Sequence, residues 1–141
     1  MRFMTLVKSP EGQQPPPALY QAIAELAKQA GKKLVWTGGL TNTKDGALVR
    51  LQNGKIRVTD GPFSEAKEVI GGFAVYEVDS KQEAVEWCRR FVEVHQKHWP
   101  QWNGEVELRQ LFEAQPFQAF GKRGRKNRTA GVDSSSPRSS W

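Results

Sequence analysis

The chain is 141 residues long, with 38% hydrophobic side chains and a mean hydropathy of -0.63, which gives room for one hydrophobic core. No apolar run approaches the ~20 residues that cross a bilayer, so a membrane partner is excluded, and a single cysteine, Cys88, excludes an internal disulfide and suits a reducing cytoplasm. The net charge of +6 points toward nucleic acid, yet residues 121–141 carry six basic side chains against Asp133 alone, so the first 120 residues are nearly neutral.

The opening segment Met1-Arg2-Phe3-Met4-Thr5-Leu6-Val7-Lys8 is interrupted too soon for a secretory signal and reads as a first strand. It is apolar on both sides, with Phe3 and Val7 on one face and Met4 and Leu6 on the other. A proline-rich loop follows, and Pro17 suits a first helical position. Leu19, Ile23, Leu26, Ala27 and Ala30 then recur at helical spacing until Gly31. Residues 33–37 read as a second strand ended by Gly38-Gly39, with Trp36 expected in the core.

Residues 47–51 and 55–59 flank Asn53-Gly54, the strongest short hairpin signal. Arg50, Lys55 and Arg57 put at least one side of that hairpin in solvent. After Asp60-Gly61-Pro62-Phe63 and a short polar stretch, residues 69–78 read as a long strand with Phe73 and Val75 on one face and Ala74, Tyr76 and Val78 on the other. Ser80-Lys81-Gln82-Glu83 is a capping box opening a second helix, whose buried stripe runs through Ala84, Cys88, Phe91 and His95. Residues 105–112 form the closing strand, with Val106 and Leu108 facing in.

With the hairpin set aside as an insertion, the order is βαββαβ, an α+β ferredoxin-like arrangement with both helices on one face of an antiparallel sheet. The other face of such a sheet is polar when it meets water. Here it is apolar, which predicts a homodimer packed sheet to sheet.

The decapeptide Thr59-Asp60-Gly61-Pro62-Phe63-Ser64-Glu65-Ala66-Lys67-Glu68, then Gly71-Gly72-Phe73, resembles the signature of the YCII-related family, in its DGPF-motif branch. The closing strand from Glu105 to Glu113 is similar to that branch's Val-Glu-Val-Arg-Pro-Leu type ending. The resemblance spans residues 1–114, with residues 115–141 left as a basic, Ser-rich, disordered tail. It implies a dimeric ferredoxin-like α+β barrel. It also implies kinship with small lyases and isomerases, some of which use a His–Asp pair. The first helix here has no histidine, so that mechanism does not carry over, and Asp60 alone has a counterpart.

Asp60 is accordingly the expected catalytic acid–base group, in a cleft between helices and sheet. The competing reading makes it a turn residue, hydrogen-bonding its own backbone before Gly61 and Pro62. Gly61, Pro62, Phe63, Lys67, Glu68 and Arg109 are the expected lining of a pocket for a small polar ligand. The plainer readings make Phe63 a core anchor, Lys67 and Glu68 solvated charges, and Arg109 a cross-strand partner.

His95 and His98 share a helical face, but no third ligand stands near them, so no metal is expected. Cys88 reads as a core thiol. Gly38-Gly39 and Gly71-Gly72 lack the spacing of a phosphate loop, and no cofactor is expected. The tail has nothing to offset the entropy of ordering. Any nucleic-acid contact through it would be nonspecific and salt-sensitive. Two functions follow: a cytoplasmic lyase- or isomerase-type enzyme using Asp60, or a non-catalytic binding module tied to sigma-factor and transcription systems.

Overall fold

A computed structural model of the protein describes residues 1–62 and 68–112. Two units are distinguished, Met1–Gln110 and Leu111–Trp141, and the second falls almost wholly outside the described residues. Within the first, β1 (Arg2–Ser9), α1 (Pro17–Ala30), β2 (Leu34–Gly39), β3 (Ala47–Gln52), β4 (Lys55–Asp60), β5 (Val69–Glu77), α2 (Lys81–His98) and β6 (Glu105–Gln110) follow in order. Short 3-10 turns precede β2 and β3.

Four strands form one sheet in the order β2-β5-β1-β6, and β3 and β4 form a separate ribbon. All pairings in both are antiparallel. This is the split βαββαβ connectivity expected from the sequence, with the ribbon as its insertion. No helix among the described residues is long and apolar enough to cross a membrane.

The register assigns each side chain to a face, because directly opposed residues point the same way. Phe3 stands opposite Tyr76 on one side and Gln110 on the other, and Thr5 opposite Ala74 and Leu108. This set meets the helices: Phe3, Tyr76 and Val78 form a buried cluster with Leu26, Ala30, Ala84 and Trp87. The Tyr76 and Trp87 rings stack at 5.8 Å. Removing a side chain such as Leu26 from this cluster costs about 2–5 kcal/mol, since the space it leaves does not collapse fully.

The opposite face carries Met4, Leu6, Phe73, Val75 and Trp36. Trp36 pairs with Val75, which turns it away from the helices and leaves it 63% exposed. The expectation that Trp36 belongs to the core is thereby corrected; its ring instead meets Phe73 edge to face at 4.9 Å. Along β6 this face ends in charge, with Lys8 Nζ 3.2 Å from Glu105 and 2.8 Å from Glu107.

The helix signals are realised closely. Pro16 caps α1 and Pro17 opens it. The Glu83 amide donates to Ser80 Oγ at 3.1 Å. The return bond of the capping box goes one residue earlier than the usual pattern, from the Asp79 amide to Glu83 Oε1 at 3.2 Å. Asn53 and Gly54 both have positive φ, 51° and 77°, as a two-residue hairpin turn matched to strand twist requires.

Candidate functional site

Two glycines thin the sheet beneath the helices. Gly39 opposes Gly72 across β2 and β5, so the helix-facing side presents bare backbone where neighbouring positions carry side chains. Above this floor a cavity of about 520 Å³ opens between the two helices and the sheet, within the size range of small-molecule sites. Leu19 and Ile23 of α1, Trp87, Phe91 and His95 of α2, and Thr5 and Gly72 of the sheet line it. Its walls are mainly apolar and aromatic.

The most unusual group there is His95, buried to 5% exposure in the last turns of α2. Its ring lies 4.7 Å from Phe91 and 4.2 Å from Trp102. Trp102 reaches this place because the chain turns tightly after α2, the Trp102 amide donating to the Trp99 carbonyl at 2.9 Å. Gly104 permits the arrangement: a Cβ there would stand 2.2 Å from Trp102 Cζ2 and 2.7 Å from the Lys8 carbonyl oxygen. Trp102 therefore folds over its own chain and closes one side of the imidazole.

His95 Nδ1 is 2.9 Å from the Phe91 carbonyl oxygen. A carbonyl only accepts, so Nδ1 carries the hydrogen and Nε2 keeps a bare lone pair. Burial holds the imidazole below its ordinary pKa, against a smaller upward pull from the Phe91 carbonyl. Near neutral pH the ring is uncharged. Among the described residues Nε2 meets no hydrogen-bond partner. A buried acceptor in that condition is costly unless a ligand or water satisfies it.

The other polar groups of the cavity are neutral or committed. Thr5 Oγ1 donates to the Ala74 carbonyl at 3.4 Å and Thr37 Oγ1 to that of Phe73 at 3.0 Å. Burial raises the Tyr76 phenol and pushes the Cys88 thiol up to about 11, so both keep their protons and Cys88 is a poor nucleophile. No carboxylate among the described residues lines the cavity. Nor does any group of three or more His, Cys, Asp or Glu among them have metal-binding geometry.

The residues expected to form the site lie elsewhere or apart. Asp60 is exposed at the end of β4, opposite Ala47. Gly61 donates its amide to the Gly46 carbonyl at 2.8 Å, and the Gly61–Pro62 bond is cis. Glu68 is exposed. Arg109 lies on the sheet face away from the helices, opposite Met4, and pairs with Glu107 on its own strand at 3.1 Å rather than across strands. Phe63 and Lys67 lie outside the described residues, as does the tail. None of the described five lines the cavity.

The turn is nevertheless close to the rim along the chain. Leu40 lines the cavity and donates its amide to the Gly71 carbonyl at 3.0 Å. Thr43, three residues on, packs its carbonyl against Gly61 too closely for a side chain there. His95 itself was readable as a member of the buried stripe of α2. Its neighbours Trp99 and Trp102, two large aromatics past the helix end, were the signal that the stripe continues into a pocket.

The sequence profile of the YCII-related domain matches residues 1–113. No curated protein matches the chain in sequence. Among solved structures, the chain is similar to 5-chloro-2-hydroxyhydroquinone dehydrochlorinase (TftG) from Burkholderia phenoliruptrix AC1100, in complex with 2,5-dihydroxybenzoquinone, at 17% identity. That match covers 76% of this chain and 91% of the other with a TM-score of 0.38, a likeness too loose to bear on substrate or site.

Proposed function

The chain belongs to the YCII-related domain family, and from that premise we propose that it binds a small molecule in the helix–sheet cavity, with His95 as the group that meets it. The observation that carries this reading is the bare Nε2 of a neutral, buried imidazole lining an otherwise apolar chamber. The ligand is largely apolar, since a charged one would lose its hydration against walls that offer no opposite charge. It carries a hydroxyl or similar donor for Nε2. A neutral histidine so placed can take a proton from carbon or oxygen and return it, the step that lyase- and isomerase-type reactions need.

In this reading Asp60 belongs to the rim. Gly61, next to it, packs against Thr43 and donates to the Gly46 carbonyl in the segment between Leu40 and β3; Arg109 serves the outer face of the sheet. That face supports self-association, since Met4, Leu6, Phe73 and Trp36 leave an apolar surface uncovered by the helices.

One observation favours the non-catalytic alternative. Nδ1 of His95 is held by a backbone carbonyl rather than a carboxylate, so among the described residues no opposite charge beside the ring balances an imidazolium formed during proton transfer. The experiment is a thermal-shift screen of small hydroxylated and carbonyl compounds against wild type, His95→Gln and Asp60→Ala, followed by turnover assays on the hits. Hits kept by Asp60→Ala and lost by His95→Gln place the ligand in the cavity. The reverse pattern moves the site to the turn and sinks the proposal. Turnover separates enzyme from binding module.

A further inference from the structure

The β3–β4 ribbon is divided into two unlike faces by its register. Val49 opposes Val58 and Leu51 opposes Ile56, so these four share one side, while Arg50 opposes Arg57 and Gln52 opposes Lys55 on the other. The four aliphatic residues are 69%, 68%, 71% and 73% exposed in that order. Of the whole ribbon only Leu48 is even partly buried. Its contacts are made overwhelmingly within itself. The segment leading into it is pinned by Thr43, whose amide and hydroxyl both donate to the Glu11 carboxylate.

A two-stranded ribbon alone in water is marginal. An uncovered stripe of branched aliphatics is also an open invitation to association. We infer that the apolar side of this ribbon is covered by a second copy of the chain, as an arm of the same two-fold interface that uses the open sheet face. The inference rests on the self-association proposed above and adds its second contact surface.

Area argues for that occupant. Four such side chains offer on the order of 300 Å² of apolar surface, well short of the ~800 Å² that each partner gives to a stable complex. The open sheet face, centred on Trp36 and Phe73, is a second incomplete patch on the same molecule. The two patches together offer more apolar surface than either alone, and a two-fold axis brings both patches of each copy into use at once. Arg50 and Arg57 stay hydrated on the other side, which also carries Leu48, the ribbon's partly buried residue, so the uniformly bare aliphatic side is the one that turns to the partner. Directly opposed arginines repel across strands, so the ribbon gains its order from its apolar side.

Sedimentation of the full chain at micromolar concentration tests this, with circular dichroism to verify folding. Wild type is a dimer. Leu51→Glu/Ile56→Glu raises the dimer Kd at least a hundredfold, and Arg50→Glu/Arg57→Glu on the opposite side leaves it within a few-fold. If Trp36→Glu dissociates the dimer and the Leu51/Ile56 variant does not, the arm is refuted while the sheet-face contact stands. A monomeric wild type refutes both. Lipid-vesicle binding by a monomer through Leu51 and Ile56 also overturns the inference. Should the glutamate variant unfold, amide exchange of wild type decides: protection of residues 47–60 that falls on dilution supports the arm, and protection independent of concentration refutes it.

Discussion

Lowering the pH from 7.0 to 5.5 isolates the energetic signature of His95. Its imidazole is held below its ordinary pKa of 6.5 by burial, whereas in the unfolded chain it titrates near that value. Below pH 6.5 the unfolded chain therefore binds a proton that the folded chain refuses. The contribution is fully present above the unfolded pKa and is lost as pH falls toward the folded one. The step to pH 5.5 crosses the unfolded-chain value, so wild type loses stability over it through this group. Glu77, Glu83 and Glu107, held below the ordinary carboxylate value of 4.5 by ion-pair hydrogen bonds, lose their share only at lower pH and do not confuse the window. Urea unfolding followed by circular dichroism at both pH values, on wild type and His95→Gln, reads the difference. Wild type weakens more than the variant over this step. Equal losses in both proteins, or a gain in wild type, would refute the claim that the ring is buried and neutral.

Three further outcomes follow from the packing. Gly104→Ala drives a methyl into the Trp102 ring and lowers stability by about 1–3 kcal/mol, with a change in tryptophan fluorescence; an unchanged spectrum and midpoint would contradict the placement of Trp102 over His95. Ser80→Ala removes the oxygen that accepts from the Glu83 amide and costs about 1 kcal/mol, read as a fall of about 4 °C in Tm. Cys88, with its thiol pushed from an ordinary 9.0 to about 11, holds about a hundredfold less thiolate at pH 8. Its reaction with a disulfide reagent is slower in the native protein than after unfolding, and equally brisk labelling of the native state would contradict its half-buried place.

The fold was legible because its signals are local. Asn53-Gly54 dictates a turn, Ser80 and Glu83 announce a helix start, and the alternation of Phe3, Met4, Thr5 and Leu6 divides β1 between two faces. Each needs only neighbours in sequence. Trp36 was misread because its strand is short and its face is decided by pairing with Val75, a contact 39 residues away. The site was legible only in outline. An Asp-Gly-Pro turn stands out as a string of letters, whereas a cavity is made where two helices and a glycine-thinned sheet diverge. His95 was visible as a stripe residue, but its value depends on the Phe91 carbonyl holding one nitrogen and on Gly104 letting Trp102 close over the ring. The amphipathic ribbon was half seen: its basic side was read as outward, while the equally exposed aliphatic side appears only once the register is known.

Long-range proton–nitrogen NMR of the His95 imidazole tests the central claim most directly. The account predicts, at pH 7, a protonated Nδ1 and a bare Nε2 whose resonance moves when a hit from the small-molecule screen is added. A charged ring at that pH, hydrogen on Nε2, or an Nε2 signal indifferent to every ligand that stabilises the protein would contradict it.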